Sequence, residues 1–478
     1  MSNVLLVQPL GVNWNPEEKD MSRVVNIMPP IGLLNLAAWV DTHGHISQVY
    51  DCYAHPGDDE RLIETIKREK PDFLGVSATT SSFLDGVRIA EKAREIHPEI
   101  RVVFGGVHVS GLREPLLGRF PVIDYGVVGE GEEALRSLMD GVAPGEIPGL
   151  LYREGDEVRF TGFREETLPM EDLPFPAYGK LEGYPERYTL PLFSYPKAPN
   201  TTIITSRGCP FQCSYCDRSV FRRTYRYNSA EYMIELLTWL QQTWNIRHVN
   251  IYDDTFLLHR KRIEKFCRMK VESGLKTTFN CAARPEQVDE EMLQLLKRAG
   301  CWMISLGMET GDPELLKRHR SYGTDRDPRE ALAEIERKAC LIKRAGIRVK
   351  GLFMMGLPGE TEETIDRTME FVFRLPLDDF NLSKLTPFPG APMYADIREH
   401  GTFDEQWELM NALTFVFVPK DLTKDRLTER YHEFYRKYYS RPKTLLKYAI
   451  MAWKSPDSWL RFLKDLPTFL SFVKDYKE

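Results

Sequence analysis
The sequence predicts an α/β protein: an N-terminal doubly wound domain of the flavodoxin or Rossmann type, then a partial (β/α)6 barrel and a helical C-terminal region. Three observations carry that prediction. Short β-rich apolar runs alternate with helical periodicity up to about residue 140, a second series of the same kind runs from about 200 to 385, and after about 396 the sequence turns helical, aromatic and basic. The length of 478 residues allows several independent cores. With 42% hydrophobic and 28% charged residues, the composition excludes wholesale disorder and a polytopic membrane protein. A net charge of −6 supplies no global basic field for nucleic acid.

In the first series, strands are expected at 4–7, 48–50, 73–76, 101–104 and 125–128, with helices beginning near Ile31, Asp58, Phe83 and Glu132. Such units predict a parallel sheet whose ligand lies beyond the carboxyl ends of its strands. The loops there read Gln8-Pro9-Leu10, Ser77-Ala78-Thr79-Thr80-Ser81, Gly105-Gly106-Val107-His108 and Gly129-Glu130-Gly131-Glu132. Any one of these glycines is explained by turning the chain, but small and hydroxyl residues on several loops of one edge fit close approach of backbone to a ligand. No G-x-G-x-x-G follows the first strand and no G-x-x-x-x-G-K-[ST] occurs, which disfavours dinucleotides and nucleoside triphosphates.

Residues 141–195 are rich in Pro and Gly and are expected to form a linker with a small hairpin near 149–160. The barrel is expected over 196–395, with strands at 202–205, 248–252, 277–282, 302–306, 349–353 and 380–385 and chemistry at its carboxyl rim. Residues 396–478 are expected to be helical without further strands. Residues 420–478 hold 14 Lys and Arg against 8 Asp and Glu, a net +6, so the preceding 419 residues carry −12. The chain opens on an apolar strand and has no apolar run of the ~18 residues a span needs, so a cytoplasmic location with reduced thiols is expected.

Three of the 8 cysteines fall within eight positions: Cys209, Cys213 and Cys216. Chance would produce a C-x3-C-x2-C pattern roughly 0.002 times in such a chain. The loop Thr205-Ser206-Arg207-Gly208-Cys209-Pro210-Phe211-Gln212-Cys213-Ser214-Tyr215-Cys216 follows directly on the first barrel strand. Structural zinc wants four protein ligands, usually with a second C-x2-C knuckle, and Cys52, Cys267, Cys281, Cys301 and Cys340 are too scattered to supply one. A cubane iron–sulfur cluster held by three thiolates keeps one iron open to a substrate or cofactor.

This loop, with Tyr215 before its last cysteine, resembles the signature of the radical S-adenosylmethionine superfamily, and residues 196–395 resemble its partial barrel. The resemblance implies that Cys209, Cys213 and Cys216 hold a [4Fe–4S] cluster whose open iron chelates S-adenosylmethionine, and that reductive cleavage gives methionine and a 5′-deoxyadenosyl radical. It further implies S-adenosylmethionine contacts at Tyr215, at Asp253 and Asp254 in Tyr252-Asp253-Asp254-Thr255, at Glu309 in Gly307-Met308-Glu309-Thr310-Gly311, and at Gly356 and Pro358. Helix capping is the plain alternative for either aspartate, and a surface salt bridge is the plain reading of Arg284. The basic stretch 317–326 departs from the family pattern, and no contact is carried over to it.

With the doubly wound domain in front, the chain resembles the cobalamin-dependent radical enzymes, the group of the anaerobic magnesium-protoporphyrin ester cyclase and the hopanoid-modifying enzymes. That implies a cobalamin-binding domain over 1–140, with Pro9, Ser77, Thr79, Gly105, Gly106, His108, Gly129 and Glu130 toward the cofactor. Asp51-Cys52-Tyr53-Ala54-His55 departs from the Asp-x-His-x-x-Gly of other cobalamin domains, so His55 is expected at the surface and cobalt without a histidine ligand. The expected activity is reductive cleavage of S-adenosylmethionine and C-methylation of an unactivated carbon in a small or lipid-like substrate. Two alternatives stand beside it: a radical oxidative cyclase or other rearrangement of a tetrapyrrole or isoprenoid, and, outside enzymes, a cobalamin and iron–sulfur sensor. Expected partners are an electron donor such as flavodoxin or ferredoxin, no nucleic acid, and the inner face of a membrane touched peripherally through the aromatic, basic runs at 431–443, 445–454, 459–463 and 469–473. A helical cap on the barrel is the plain alternative for those runs. No catalytic acid or base is assigned, because the radical chemistry belongs to the cofactors.

Overall fold
The computed structural model describes residues 1–11, 27–320 and 327–464; positions 321–326 of the 317–326 stretch and the apolar run 469–473 lie outside the described residues. The first sheet contains β1 (Asn3–Gln8), β2 (Ile46–Asp51), β3 (Phe73–Ser77), β4 (Arg101–Gly105), β5 (Tyr125–Val127), β6 (Leu150–Glu154) and β7 (Glu157–Phe160), in the order β2-β1-β3-β4-β5-β6-β7. The first five are parallel, as in flavodoxin-like sheets, and the order reverses between β1 and β3. β1 and β3 are buried along nearly their whole length, which is why they read as continuous apolar runs rather than alternation. Leu33, Ala37, Val40, Leu135 and Leu138 cover one face; Leu62, Ile66, Phe83, Val87 and Ala90 cover the other.

The hairpin expected near 149–160 forms, but β6 pairs antiparallel with β5 and so extends the first sheet instead of standing in a linker. The stretch after it is also packed. Tyr178, Tyr184, Tyr188 and Tyr195 are all buried, and the Tyr178 hydroxyl donates to the Thr202 carbonyl at 2.7 Å. Proline content signalled irregular backbone correctly; the aromatic side chains are what make this segment a packed strap rather than a solvated spacer.

The second sheet uses β8 (Asn200–Ile203), then β11 (His248–Ile251), β12 (Thr278–Ala283), β13 (Cys301–Glu309), β14 (Arg348–Met355) and β15 (Asp379–Lys384), all parallel in the order β15-β14-β13-β12-β11-β8. Two short strands, β9 (Ser206–Arg207) and β10 (Arg226–Tyr227), pair antiparallel at the mouth of the cysteine loop. Ser305 on β13 and Lys350 and Leu352 on β14 face the lumen, alternating with residues buried beneath the helices. Ser229, Asp289 and Thr361 cap helices of this layer with their side chains.

Strands do not stop at 396 as expected. β16 (Gly401–Phe403) and β17 (Phe417–Pro419) form an antiparallel ribbon, and Phe403, Trp407 and Phe417 are buried in the same cluster as Phe83, Phe104 and Val109 of the first domain. Three-residue strands are too short for alternation to be read, whereas their burial is decided by the domain they return to. The Lys424–Tyr439 and Pro442–Lys454 helices follow. Among the described residues no helix is long and apolar enough to cross a membrane.

Candidate active site
Both stems of the cysteine loop are clamped by buried charge. The Asp253 carboxylate accepts from the Thr205 amide (2.6 Å), the Thr205 hydroxyl (2.7 Å) and the Ser206 amide (3.0 Å). From the neighbouring helix, Arg262 donates to the Thr205 carbonyl at 2.8 Å and to the Asn228 carbonyl at 2.7 Å. Gly208, at φ +86°, then turns the chain where a Cβ would stand 2.2 Å from the Thr224 carbonyl oxygen. Cys209, Cys213 and Cys216 line the cavity that begins there. Among the described residues no three Cys, His, Asp or Glu side chains converge as a single ion would require.

A second set of contacts holds the far side of the loop to the barrel rim. The Ser214 amide donates to the His319 carbonyl at 2.9 Å, the Ser214 hydroxyl lies 2.9 Å from His319 Nδ1, and Nε2 lies 2.9 Å from the Pro358 carbonyl. A carbonyl only accepts, so Nε2 carries the proton and Nδ1 accepts from Ser214. Burial lowers the His319 pKa, in keeping with a neutral ring. Arg284 lies 3.6 Å from Cys213 Sγ, stacks 3.8 Å above the Phe211 ring and bonds Glu286 at 3.0 Å. It is an enclosed cation beside a thiol and not the surface salt bridge that was expected. At Glu309, β13 shifts register and the backbone takes φ +65°. Burial pushes the Glu309 carboxyl up to about 7, against the nearby Arg320 guanidinium and a hydrogen bond from Tyr215.

Across the cavity stand Ser77, Ala78, Thr79, Gly106 and Val107 from the carboxyl ends of β3 and β4. The enclosed volume is about 470 Å³. Gly32, Ser77, Gly106, Val220 and Phe221 are shared with a narrower apolar slot of about 160 Å³ that runs into the first sheet past Leu36, Gly75, Val103, Gly105, Val127 and Gly129. Gly106 has φ +100°, and a Cβ there would lie 2.7 Å from the Ala78 carbonyl oxygen. The chamber edge formed by backbone and small hydroxyl residues, with Gly106 where a Cβ is excluded, is a lining that can take a flat macrocycle close to the backbone. The three thiols with a guanidinium beside Cys213 suit an anionic thiolate cluster. Both groups fit the residues present.

Of the expected residues, Ser77, Thr79 and Gly106 face the chamber, and Gly105, Gly129 and Glu130 face the slot. Glu130 is engaged elsewhere: with Glu132 it pairs the buried Arg207 (2.5 and 2.6 Å), and it also meets Arg226, joining the two domains. His108 is a correction. It is the second residue of a helix at Val107–Leu112, turns inward between Phe83 and Trp407, and burial lowers its pKa to about 3. Pro9 is buried at the end of β1 and lines neither space. The Asp253 carboxylate is engaged by the loop stem and the residue lines a barrel-lumen cavity of about 470 Å³, whereas Asp254 lines both that cavity and the chamber. Tyr215 and Glu309 lie together behind Cys213, Pro358 reaches the loop through His319, and the Gly356 amide donates to the Glu360 carboxylate. His55 is half-buried, its side chain 3.6 Å from Glu182 and 3.4 Å from Arg187, and no histidine lines the chamber among the described residues. Sequence reasoning missed Arg207, Arg262, His319 and Arg320; only Arg207, two positions before Cys209, stood where attention to the motif's flank could have found it.

Residues 203–372 match the Radical SAM superfamily and residues 20–139 the B12 binding domain. The chain is 30% identical over 454 residues to an uncharacterized methyltransferase of Pyrococcus horikoshii, covering 93% of this chain and 94% of that protein. It is 28% identical over 444 residues to the anaerobic magnesium-protoporphyrin IX monomethyl ester cyclase of Cereibacter sphaeroides, covering 90% and 69% respectively. The fold is that of the radical S-adenosylmethionine methyltransferase TsrM of Kitasatospora setae, solved with cobalamin and a [4Fe–4S] cluster: TM-score 0.66 at 22% identity, over 84% of this chain and 78% of that one. The chain therefore belongs to the cobalamin-binding radical S-adenosylmethionine enzymes, whose cofactors are a [4Fe–4S] cluster, S-adenosylmethionine and cobalamin.

Proposed function
We propose that this enzyme methylates an unactivated carbon of a small or lipid-like substrate, with Cys209, Cys213 and Cys216 as cluster ligands and the chamber between the two domains as the cobalamin site. The observation that carries the proposal is the position of Asp254, which lines both that chamber and the barrel lumen, so that a substrate in the lumen adjoins the chamber that lies between the cysteine loop and the first-sheet edge. When bound, the cofactors supply reductive cleavage of S-adenosylmethionine and a transferable methyl group. The chain's own residues orient and enclose. Asp253, Arg262 and Ser214 hold the loop, Arg284 offsets thiolate charge, Ser77, Thr79 and Gly106 admit the macrocycle by close backbone approach, and Asn250, Asn280 and Ser305 line the lumen with neutral polar groups.

A low-potential one-electron donor, such as flavodoxin or ferredoxin, completes the reading, as does peripheral contact of the C-terminal region with the inner face of a membrane. The test is anaerobic reconstitution followed by dithionite and S-adenosylmethionine. We expect 5′-deoxyadenosine together with S-adenosylhomocysteine; 5′-deoxyadenosine without S-adenosylhomocysteine would favour the cyclase named among the relatives. Because no histidine lines the chamber among the described residues, a Co(II) paramagnetic resonance spectrum without nitrogen superhyperfine splitting is expected.

A further inference from the structure
The outer side of the Pro442–Lys454 helix is apolar where a surface helix should be polar. Thr444 and Met451 face the protein, while Leu445, Leu446, Ile450 and Trp453 are exposed, Trp453 at 82%. Leu446, Ile450 and Trp453 are spaced i, i+4, i+7 and so form one stripe. Residues 456–464, also helical, add exposed Leu460 and Leu463. Six of the fourteen large hydrophobic side chains exposed among the described residues thus fall within 19 positions. Charge is distributed just as unevenly: from 441 to 464 there are six Lys and Arg against one acid, Asp457, whose carboxylate already accepts from the Ala198 amide at 2.8 Å. Lys443, Lys454 and Lys464 stand exposed at the helix ends. An apolar face with a terminal Trp and a cationic margin complements an anionic bilayer interface and not a second, equally basic copy of itself.

The same helices grip the strap that closes the barrel. The Ser455 hydroxyl donates to the Tyr195 carbonyl, the Phe193 amide donates to the Ser458 hydroxyl at 2.6 Å, and Arg461 donates to the Leu190 carbonyl at 2.8 Å. The Phe193 ring packs on Tyr448, Trp459 and Phe462. On its other side the strap accepts from Asn280 (at the Ser194 carbonyl, 2.6 Å) and from Arg348 (at the Phe193 carbonyl, 2.6 Å), and Leu190, Pro191 and Ser194 form a wall of the lumen.

We propose that the outer faces of residues 442–464 dock on an anionic membrane surface and thereby present the 190–198 strap, and the lumen behind it, to the bilayer. Docking stands independently of the reaction; the statement that a lipid-phase substrate reaches the lumen past the strap rests on the proposed methylation. The test is co-sedimentation of the full chain with vesicles of mixed phosphatidylglycerol and phosphatidylcholine, and with phosphatidylcholine alone. Expected are binding to the anionic vesicles that weakens with salt, a drop of about tenfold or more in the bound fraction for Ile450→Ser/Trp453→Ser, and loss of the preference for anionic vesicles in Lys443→Glu/Lys454→Glu. Both variants should keep the wild-type melting temperature and 5′-deoxyadenosine yield. No binding of the full chain, or undiminished binding by the Ser variant, overturns the proposal. So does a dimer that the Ser variant dissociates while vesicles go unbound, which assigns the face to a second copy, and so does binding only after deletion of 465–478, which assigns it to the chain's own end. Failure of the enzyme reading is separate, being absence of 5′-deoxyadenosine from the wild type.

Discussion

On the first sheet, the edge that meets the chamber consists of Ser77, Ala78, Thr79, Gly106 and Val107, and the acids beside it, Glu130 and Glu132, are drawn into ion pairs with Arg207 and, for Glu130, Arg226. On the barrel, the facing edge presents Cys209, Cys213 and Cys216, with Arg284 beside one thiol and Asp254 at the border of the lumen. One edge recognises by leaving room, the other by placing side chains. The difference teaches where each will fail: a backbone cradle is lost by adding atoms, whereas a ligand set is lost by removing them.

The largest effect should come from the side-chain edge. Cys213→Ala is expected to lose cluster iron and reduce 5′-deoxyadenosine to background, while cobalamin retained after desalting stays near the wild-type level; loss of both cofactors would break the contrast. At the seam between the edges, Arg207→Met leaves Glu130 and Glu132 without their buried partner and should cost roughly 3–5 kcal/mol in denaturant unfolding. Burial pushes the Glu132 carboxyl up, but the charge and hydrogen bond of Arg207 outweigh that and hold it below the ordinary range. Its stabilising contribution is therefore present above the unfolded carboxyl value and lost as pH falls through the folded one, so Arg207→Met should also shrink the acid-side loss of stability.

A smaller effect tests the backbone edge. In Gly106→Ala a Cβ enters a left-handed position 2.7 Å from the Ala78 carbonyl oxygen, with an expected cost of about 1–3 kcal/mol and a fall in bound cobalamin at unchanged iron content. Equal cobalamin in variant and wild type would show that the cradle does not depend on that approach. The smallest effect lies behind the rim. Glu360 is pushed up to about 8 by burial, despite hydrogen bonds from the Gly356 and Leu357 amides. The folded chain keeps a proton there that the unfolded chain releases, so this contribution is complete below the ordinary carboxyl range and fades as pH rises toward about 8. Glu360→Gln should flatten the decline in melting temperature between about pH 5 and 8.

Legibility followed sequence distance. The cysteine loop could be read because its chemistry is written in adjacent positions, and the doubly wound sheet because continuous apolar strands and amphipathic helices repeat locally. His108 was misplaced because a loop reading cannot see that a helix starts at Val107 and turns the next side chain toward Trp407, almost 300 positions away. Asp253 and Asp254 are neighbours with the same chemistry. Only the strand end sends one into the loop stem and leaves the other between two cavities.

The sequence by itself determined the two βα series, the three thiols and the family they mark, since hydrophobic period and ligand spacing are properties of short segments. The tertiary structure decided which charges are free to meet a ligand and which are consumed in holding the site: Glu130 on Arg207, Asp253 on Thr205 and Ser206, His319 on Ser214 and Pro358. It also decided that the 190–198 strap joins the lumen wall to an outward-facing apolar helix. Those outcomes depend on which buried polar group finds which partner, and a buried charge takes whatever partner the fold brings within reach, however distant in the chain.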